Sequence, residues 1–160
     1  MSSAADVLTR LQSLDLKLAI AESLTGGLLC AEFVAISGAS AVVLGSVTAY
    51  QNQVKSQLLN VTALADLGAV SAEVALQMAR GVRAQFAAVM RIDVSSVVGV
   101  ATTGVAGPGG QDGQPVGKVF VAVDSINGSV AVANLFAGDR DAIRSQAVAA
   151  AVSLLWEQFR

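Results

Sequence analysis

The chain has 160 residues, a net charge of -2 and no histidine. Hydrophobic residues make up 54% and charged residues 14%, against roughly 25% charged in an ordinary soluble domain. There is no basic field and, with one Trp, one Tyr and five Phe, little stacking surface for nucleic acid, while the missing histidine excludes Ser-His-Asp triads, Cys-His pairs and zinc-histidine sites within one chain.

Residues 4 to 14 carry Val7, Leu8, Leu11 and Leu14 on one helical face. "KLAIA" (17 to 21) reads as a short buried strand, followed by a helix over 25 to 36 with "TGG" in its first turn and Leu28, Leu29, Phe33 and Ile36 for packing. "AVVLGSVTAY" (41 to 50) is a second strand, bent or crowded near Gly45. A short helix through "QVKSQLL" and the connector "NVTALADLGAV" lead to Ser71, the expected N-cap of a long helix to Met90. Its stripe is Val74, Met78, Val82, Phe86 and Val89. "VSSVVGVA" (94 to 101) is a strand, and "KVFVAVD" (118 to 124) is apolar on both faces as a central strand must be. Asn127-Gly128 fits the two central residues of a hairpin to "SVAVANLF", and a last helix runs to about 159 with Ile143, Ala147, Ala151, Leu154 and Leu155 buried. The order predicts a single-domain α/β fold over 1–160: a mixed sheet flanked by helices, ending in a hairpin and a helix.

Three stretches are more polar than packing requires. In "AESLTGG" (21 to 27) a hydroxyl at the carboxyl end of a strand sits beside backbone N–H groups at a helix start, where an oxyanion or phosphate can be held. The same residues also fit an N-cap at Ser23 or Thr25 with glycines for close helix packing, and the GxSxG elbow is absent. "AYQNQVK" (49 to 55) bunches Tyr50, Asn52 and Lys55, either as a solvated turn or with Lys55 as base for a serine. A free lysine near pKa 10.4 is neutral in about one molecule in 2,500 at pH 7; lowering it to about 8 by burial costs roughly 3 kcal/mol and brings the neutral form to about a tenth.

The third stretch, "TTGVAGPGGQDGQPVG" (102 to 117), holds six of the fifteen glycines and both prolines. It is neither a Walker A loop nor a GxGxxG fingerprint. It reads as a surface linker or as a loop whose backbone approaches a ligand phosphate. In "GDRDAIR" (138 to 144), Arg140 and Arg144 oppose the dipole of the helix they open, which suits a ligand or a carboxylate partner such as Asp139 or Asp141.

No apolar run approaches the roughly 18 to 20 residues of a membrane span. The start, "MSSAADVLTRLQSLD", lacks the apolar core of a secretory signal. A soluble, cytoplasmic protein is expected, and the low charge content predicts a homo-oligomer. Cys30 is the only cysteine, which allows no internal disulfide and no cysteine metal cluster, and is expected in the core.

Together these segments resemble the CinA C-terminal family, the competence-damage-inducible domain whose stand-alone members include nicotinamide mononucleotide deamidases. The resemblance covers almost the whole chain through five ordered motifs: "AESLTGG", "AYQNQVK", "GAVSAEVA", "TGVAGPGG...PVG" and "GDRDAIR". Gln114 stands before Pro115 where a lysine is common, so a charged phosphate contact there is not expected. Nor is the larger N-terminal domain of long members, or the activity belonging to it. The resemblance implies hydrolysis of the carboxamide of nicotinamide mononucleotide in pyridine nucleotide salvage, with a small-molecule nucleotide as partner, no nucleic acid or membrane, and no metal or organic cofactor.

On this reading Ser23 is the nucleophile, Lys55 takes its proton, and Tyr50 orients Lys55 or relays the proton, with the base assignment between the two left open. Backbone N–H groups near Thr25, Gly26 and Gly27, or at Gly104, form the oxyanion hole. The loop through Gly107, with Arg140, holds the 5′-phosphate, and Asn52 and Thr103 complete the substrate-binding set. A non-catalytic nucleotide- or phosphate-binding module is the alternative, and a structural interaction domain a third.

Overall fold

A computed structural model describes residues 3–160. In chain order the elements are α1 (Ala4–Ser13), β1 (Lys17–Glu22), α2 (Leu28–Val34), β2 (Val43–Thr48), α3 (Asn52–Leu59), α4 (Leu64–Leu67), α5 (Ala72–Met90), β3 (Val97–Gly104), β4 (Lys118–Ser125), β5 (Gly128–Leu135) and α6 (Arg140–Phe159). The sheet order is β2-β1-β3-β4-β5. β1 pairs parallel with β2 and β3, and β4 and β5 extend the sheet antiparallel. This is the layered mixed α/β architecture expected.

Alternation along the central strands divides the core into two layers. Leu18, Ile20, Val98, Val100, Val119, Val121 and Val123 pack with α1, α2 and α6. Ala19, Ala21, Val97, Ala101 and Ala122 face the other way, against α5 and the end of α3. The second face is built from small residues, so α5 lies close on the sheet: a methyl at Gly99 would overlap the Ala79 carbonyl. A methyl at Gly81 of α5 would likewise overlap the Leu59 carbonyl at the end of α3. This contact fixes α3, the element that carries Lys55.

Most expected elements form. Ser71 caps α5, its Oγ accepting from the Val74 N–H at 3.3 Å. The strand near Gly45 is crowded as expected: the register with β1 shifts there, and a methyl on Gly45 would meet the Phe86 ring at 2.8 Å. Several boundaries differ. α2 begins at Leu28 instead of Thr25, because Gly26 (φ 60) and Gly27 (φ 102) take left-handed conformations that no right-handed helix includes. Leu28 stays exposed while Leu29 and Phe33 are buried. The connector over 60–70 contains α4. β3 starts later and runs to Gly104, so Thr102 to Gly104 belong to the strand and not to the glycine loop.

The β4–β5 hairpin centres on Ile126-Asn127, one residue earlier than expected, with Gly128 (φ 124) paired to Ser125. Val89 is 78% exposed, since α5 outruns the sheet it covers. Cys30 is half-buried against the α1/α2/α6 layer. Among the described residues no helix is long and apolar enough to cross a membrane.

Candidate functional site

The carboxyl ends of β1 and β3 open on a pocket of about 410 Å³. Ligands of open α/β sheets bind outside this end of the strands. Its lining includes Ser23, Tyr50, Asn52, Lys55, Thr103, Gly104, Gly107 and Arg140, and no Asp or Glu. Two cationic side chains and no carboxylate suit an anionic ligand, in a chain whose net charge is -2.

Strand alternation decides what the "AESLTGG" corner does. Ser23 extends β1 by one hydrogen bond, its N–H donating to the Thr102 carbonyl at 3.0 Å. Glu22 shares the face of Leu18 and Ile20, so it points under α2, and Ser23 falls on the opposite side, where Lys55 and Thr103 stand. The fully buried Glu22 carboxylate accepts from the N–H groups of Gly27 (3.0 Å), Leu29 (3.0 Å) and Cys30 (2.9 Å). The Gly26 N–H donates to the Ser23 carbonyl at 3.2 Å, and Thr25 is buried in a 2.8 Å hydroxyl pair with Thr102.

Thr25, Gly26 and Gly27 therefore do not line the pocket. The N–H groups of Gly26 and Gly27 are already engaged, which corrects the expectation that they wait for an oxyanion. Arg144 fastens the turn from outside, donating to the carbonyls of Leu24 (3.0 Å) and Thr25 (3.1 Å) while pairing with Asp141 at 3.3 Å. Gly104 differs. Val105 donates to Lys118 of β4, so by alternation the Gly104 N–H points toward β1, which has ended beside Ser23.

Lys55 is 1% exposed. Its Nζ donates to the Tyr50 carbonyl at 3.0 Å, and burial pushes its pKa down to about 8, partly opposed by the negative charge of Asp112. Among the described residues the Ser23 hydroxyl has no protein hydrogen-bond partner, so Ser23 and Lys55 share the pocket without a hydrogen bond between them. Tyr50 approaches Lys55 through its backbone. Its hydroxyl accepts instead from Arg140 Nη2 at 3.1 Å, and Arg140 Nη1 donates to the Gly107 carbonyl at 2.7 Å. Thr103 Oγ1 is turned to the Ala69 carbonyl at 2.7 Å.

The glycine loop is held at several points. Gln111 and Gln114 exchange two backbone hydrogen bonds (3.1 and 2.8 Å) around Asp112 (φ 51) and Gly113 (φ 74), a tight two-residue turn of the kind that an Asp-Gly pair favours. Asp112 Oδ2 accepts from the Ala69 N–H at 3.0 Å, so Ala69 joins the loop tip to Thr103. The Gly107–Pro108 bond is cis. Reading by sequence missed Glu22, Asp112 and the tethering role of Arg144. Asp112-Gly113 carried a signal that could have found the turn, whereas nothing local marked Glu22 as a cap.

The CinA C-terminal domain family matches residues 1–159 of the chain. A CinA-like protein of Gemmatimonas aurantiaca is 46% identical over 149 residues, which is 91% of this chain and 33% of the relative. A CinA-like protein of Geobacter metallireducens is 45% identical over 142 residues, 87% and 32% of the two chains. The chain spans about a third of the length of the curated relatives it matches. Among solved structures, the competence/damage inducible protein CihA from Agrobacterium tumefaciens superposes with a TM-score of 0.86 at 34% identity, covering 98% of this chain and 93% of that one. A CinA superfamily protein from Enterobacter cloacae gives 0.88 at 26% identity, with 100% and 94% covered.

Proposed function

We propose that this chain, which belongs to the CinA C-terminal domain family, is an amidohydrolase that converts nicotinamide mononucleotide to nicotinate mononucleotide and ammonia within one domain of residues 1–160. The observation that carries the reading is Lys55: a buried lysine with its pKa near 8, on the wall of the pocket that also holds Ser23 at a strand end. Lowered lysine pKa values mark groups poised for proton transfer.

In the proposed reaction, neutral Lys55 takes the Ser23 proton as Oγ attacks the carboxamide carbon. Negative charge moves to the carboxamide oxygen, which the Gly104 N–H receives; one such donor is typically worth about 3 kcal/mol. The Lys55 ammonium then protonates the departing nitrogen, ammonia leaves, and an ester to Ser23 remains. Water, deprotonated by Lys55, attacks the ester, and the proton returns to Ser23 as nicotinate mononucleotide departs. Tyr50 positions Lys55 through its carbonyl, and its hydroxyl works with Arg140 and Gly107 at the phosphate end beside Asn52. Substrate must bring Ser23 and Lys55 into reach, directly or through one water, since unliganded sites often hold catalytic groups apart. The chemistry calls for no metal or organic cofactor.

The test is ammonia release from nicotinamide mononucleotide by purified protein, with and without EDTA, beside Ser23→Ala. Release that survives EDTA and disappears in the variant supports the proposal. The missing Ser23–Lys55 hydrogen bond favours a second reading, a module that binds the nucleotide without turning it over. Lys55→Ala separates the two: a binder keeps its affinity and has no turnover to lose, whereas the amidase loses about 100-fold or more in kcat.

A further inference from the structure

Glu22 precedes the proposed nucleophile, is fully buried, and takes no part in the proposed acyl transfer. Its two oxygens are divided among three donors: Oε2 takes Gly27 and Leu29, and Oε1 takes Cys30. These are first-turn N–H groups of α2, which would otherwise face inward without partners. A buried carboxylate is costly unless its charge is met by such donors. The three contacts tie the end of β1 to the start of α2 across a turn whose glycines could not hold that shape unaided.

We infer that Glu22 is a positioning residue for Ser23: its carboxylate, clamped to the Gly27, Leu29 and Cys30 N–H groups, holds the β1 end in the one orientation that directs the Ser23 hydroxyl into the pocket, and closes the α2 terminus to ligand anions. The inference rests on the acyl-transfer reading of the site. Ser23 is bounded on its two sides by Glu22, locked under α2, and by Leu24, whose carbonyl is held by Arg144. Its own N–H is bonded to Thr102. Rotation of the serine peptide units is thus restrained before and after the nucleophile: before it, the Glu22 carbonyl accepts from the Ala49 N–H at 2.8 Å, and the Glu22 carboxylate adds the tie from this strand end to α2. The same occupancy leaves the Gly104 side of the pocket, and not the helix, to receive developing negative charge.

The test measures Ser23 in two independent ways, by its rate of phosphonylation with an alkyl fluorophosphonate and by kcat and KM for nicotinamide mononucleotide. Wild type, Glu22→Gln and Glu22→Ala are compared, each with its Tm. Glu22→Gln keeps the shape but turns an amide NH₂ toward backbone donors. It should slow phosphonylation and kcat about tenfold or more with KM within about twofold, because small misplacements of a reacting group are costly. Unchanged rates, or rates that fall only with the folded fraction, overturn the inference.

Wild type that is phosphonylated at Ser23 but releases no ammonia refutes the substrate and leaves Glu22 to be judged on labelling. Wild type that does neither refutes both readings. Should both variants fail to fold, hydrogen exchange at the Gly27, Leu29 and Cys30 amides of wild-type protein decides. Protection that inorganic phosphate does not alter is expected, and exchange at loop rates or a phosphate-induced shift overturns the inference.

Discussion

Lys55 Nζ lies 3.0 Å from the carbonyl oxygen of Tyr50, five residues earlier in the chain. That single bond orients the amine while leaving its lone pair, once the nitrogen is neutral, free for a proton. Burial supplies the other requirement by bringing the pKa down to about 8.

The rate should therefore follow the neutral form of Lys55. On the proposed mechanism kcat/KM rises about tenfold per pH unit below pH 7, bends near pH 8 and levels above it. Stopped assays from pH 6 to 9.5 read this directly. A profile flat across that range would remove Lys55 as the base.

Stability should show the cost of burying the charge. The folded pKa of about 8 lies below the usual 10.5, so between these values the unfolded chain binds more protons and stability rises with pH. Below pH 8 the full penalty applies, about 3 kcal/mol before screening by pocket water and about 2 kcal/mol after it. Lys55→Met relieves the penalty and forfeits one hydrogen bond of about 1 kcal/mol. A net gain of about 1 kcal/mol at pH 7 that shrinks as pH rises above 8 and turns into a loss of roughly 1 kcal/mol by pH 10.5 is expected from urea unfolding, and a loss at pH 7 would contradict it.

Asp112 opposes the burial effect on Lys55 and also accepts from the Ala69 N–H. Asp112→Asn can keep that hydrogen bond through its Oδ1 while removing the charge. Its pH–rate profile should bend below pH 8, because the residue that raises the Lys55 pKa is gone. A bend that moves upward would reverse the sign assigned to this interaction.

Arg140 spans from Tyr50 to Gly107 at the edge of the pocket. If it meets the phosphate, Arg140→Ala raises KM for nicotinamide mononucleotide about tenfold and leaves kcat within a few-fold. The corresponding nucleoside, which lacks the phosphate, should not distinguish variant from wild type. Equal losses on both substrates would place Arg140 in the scaffold.

Gly81→Ala tests the support of α3. In an exposed helix the change would gain about 1 kcal/mol, but here the methyl overlaps the Leu59 carbonyl. We expect a net loss of about 2 kcal/mol in urea unfolding and a fall in kcat, since α3 must shift with Lys55 on it. A stabilised, fully active variant would show that the α3–α5 contact yields easily.

The glycines show how far local patterns reach. Gly45 could be marked as a crowded point from its place in a β-branched run, and the Phe86 ring is the reason. Gly26 and Gly27 were legible as a corner, but their left-handed conformations, which exclude them from α2, were not. Both are permitted by glycine, and the choice is made by Glu22 drawing three N–H groups inward.

By itself the sequence determined the element order apart from α4, the apolar strands, the Ser71 cap, the buried side of α6 and the grouping of Ser23, Tyr50 and Lys55 as polar residues at or just beyond strand ends, because these depend on periodicity and on neighbours within a few residues. The tertiary structure decided which groups remain available for a ligand. Arg144 reaches Leu24 across 120 residues and Asp112 reaches Ala69 across 43, and strand alternation sends Glu22 under α2 and Ser23 into the pocket. Burial, pKa and hydrogen-bond occupancy are sums over everything that surrounds an atom, so they exist only once distant segments have packed.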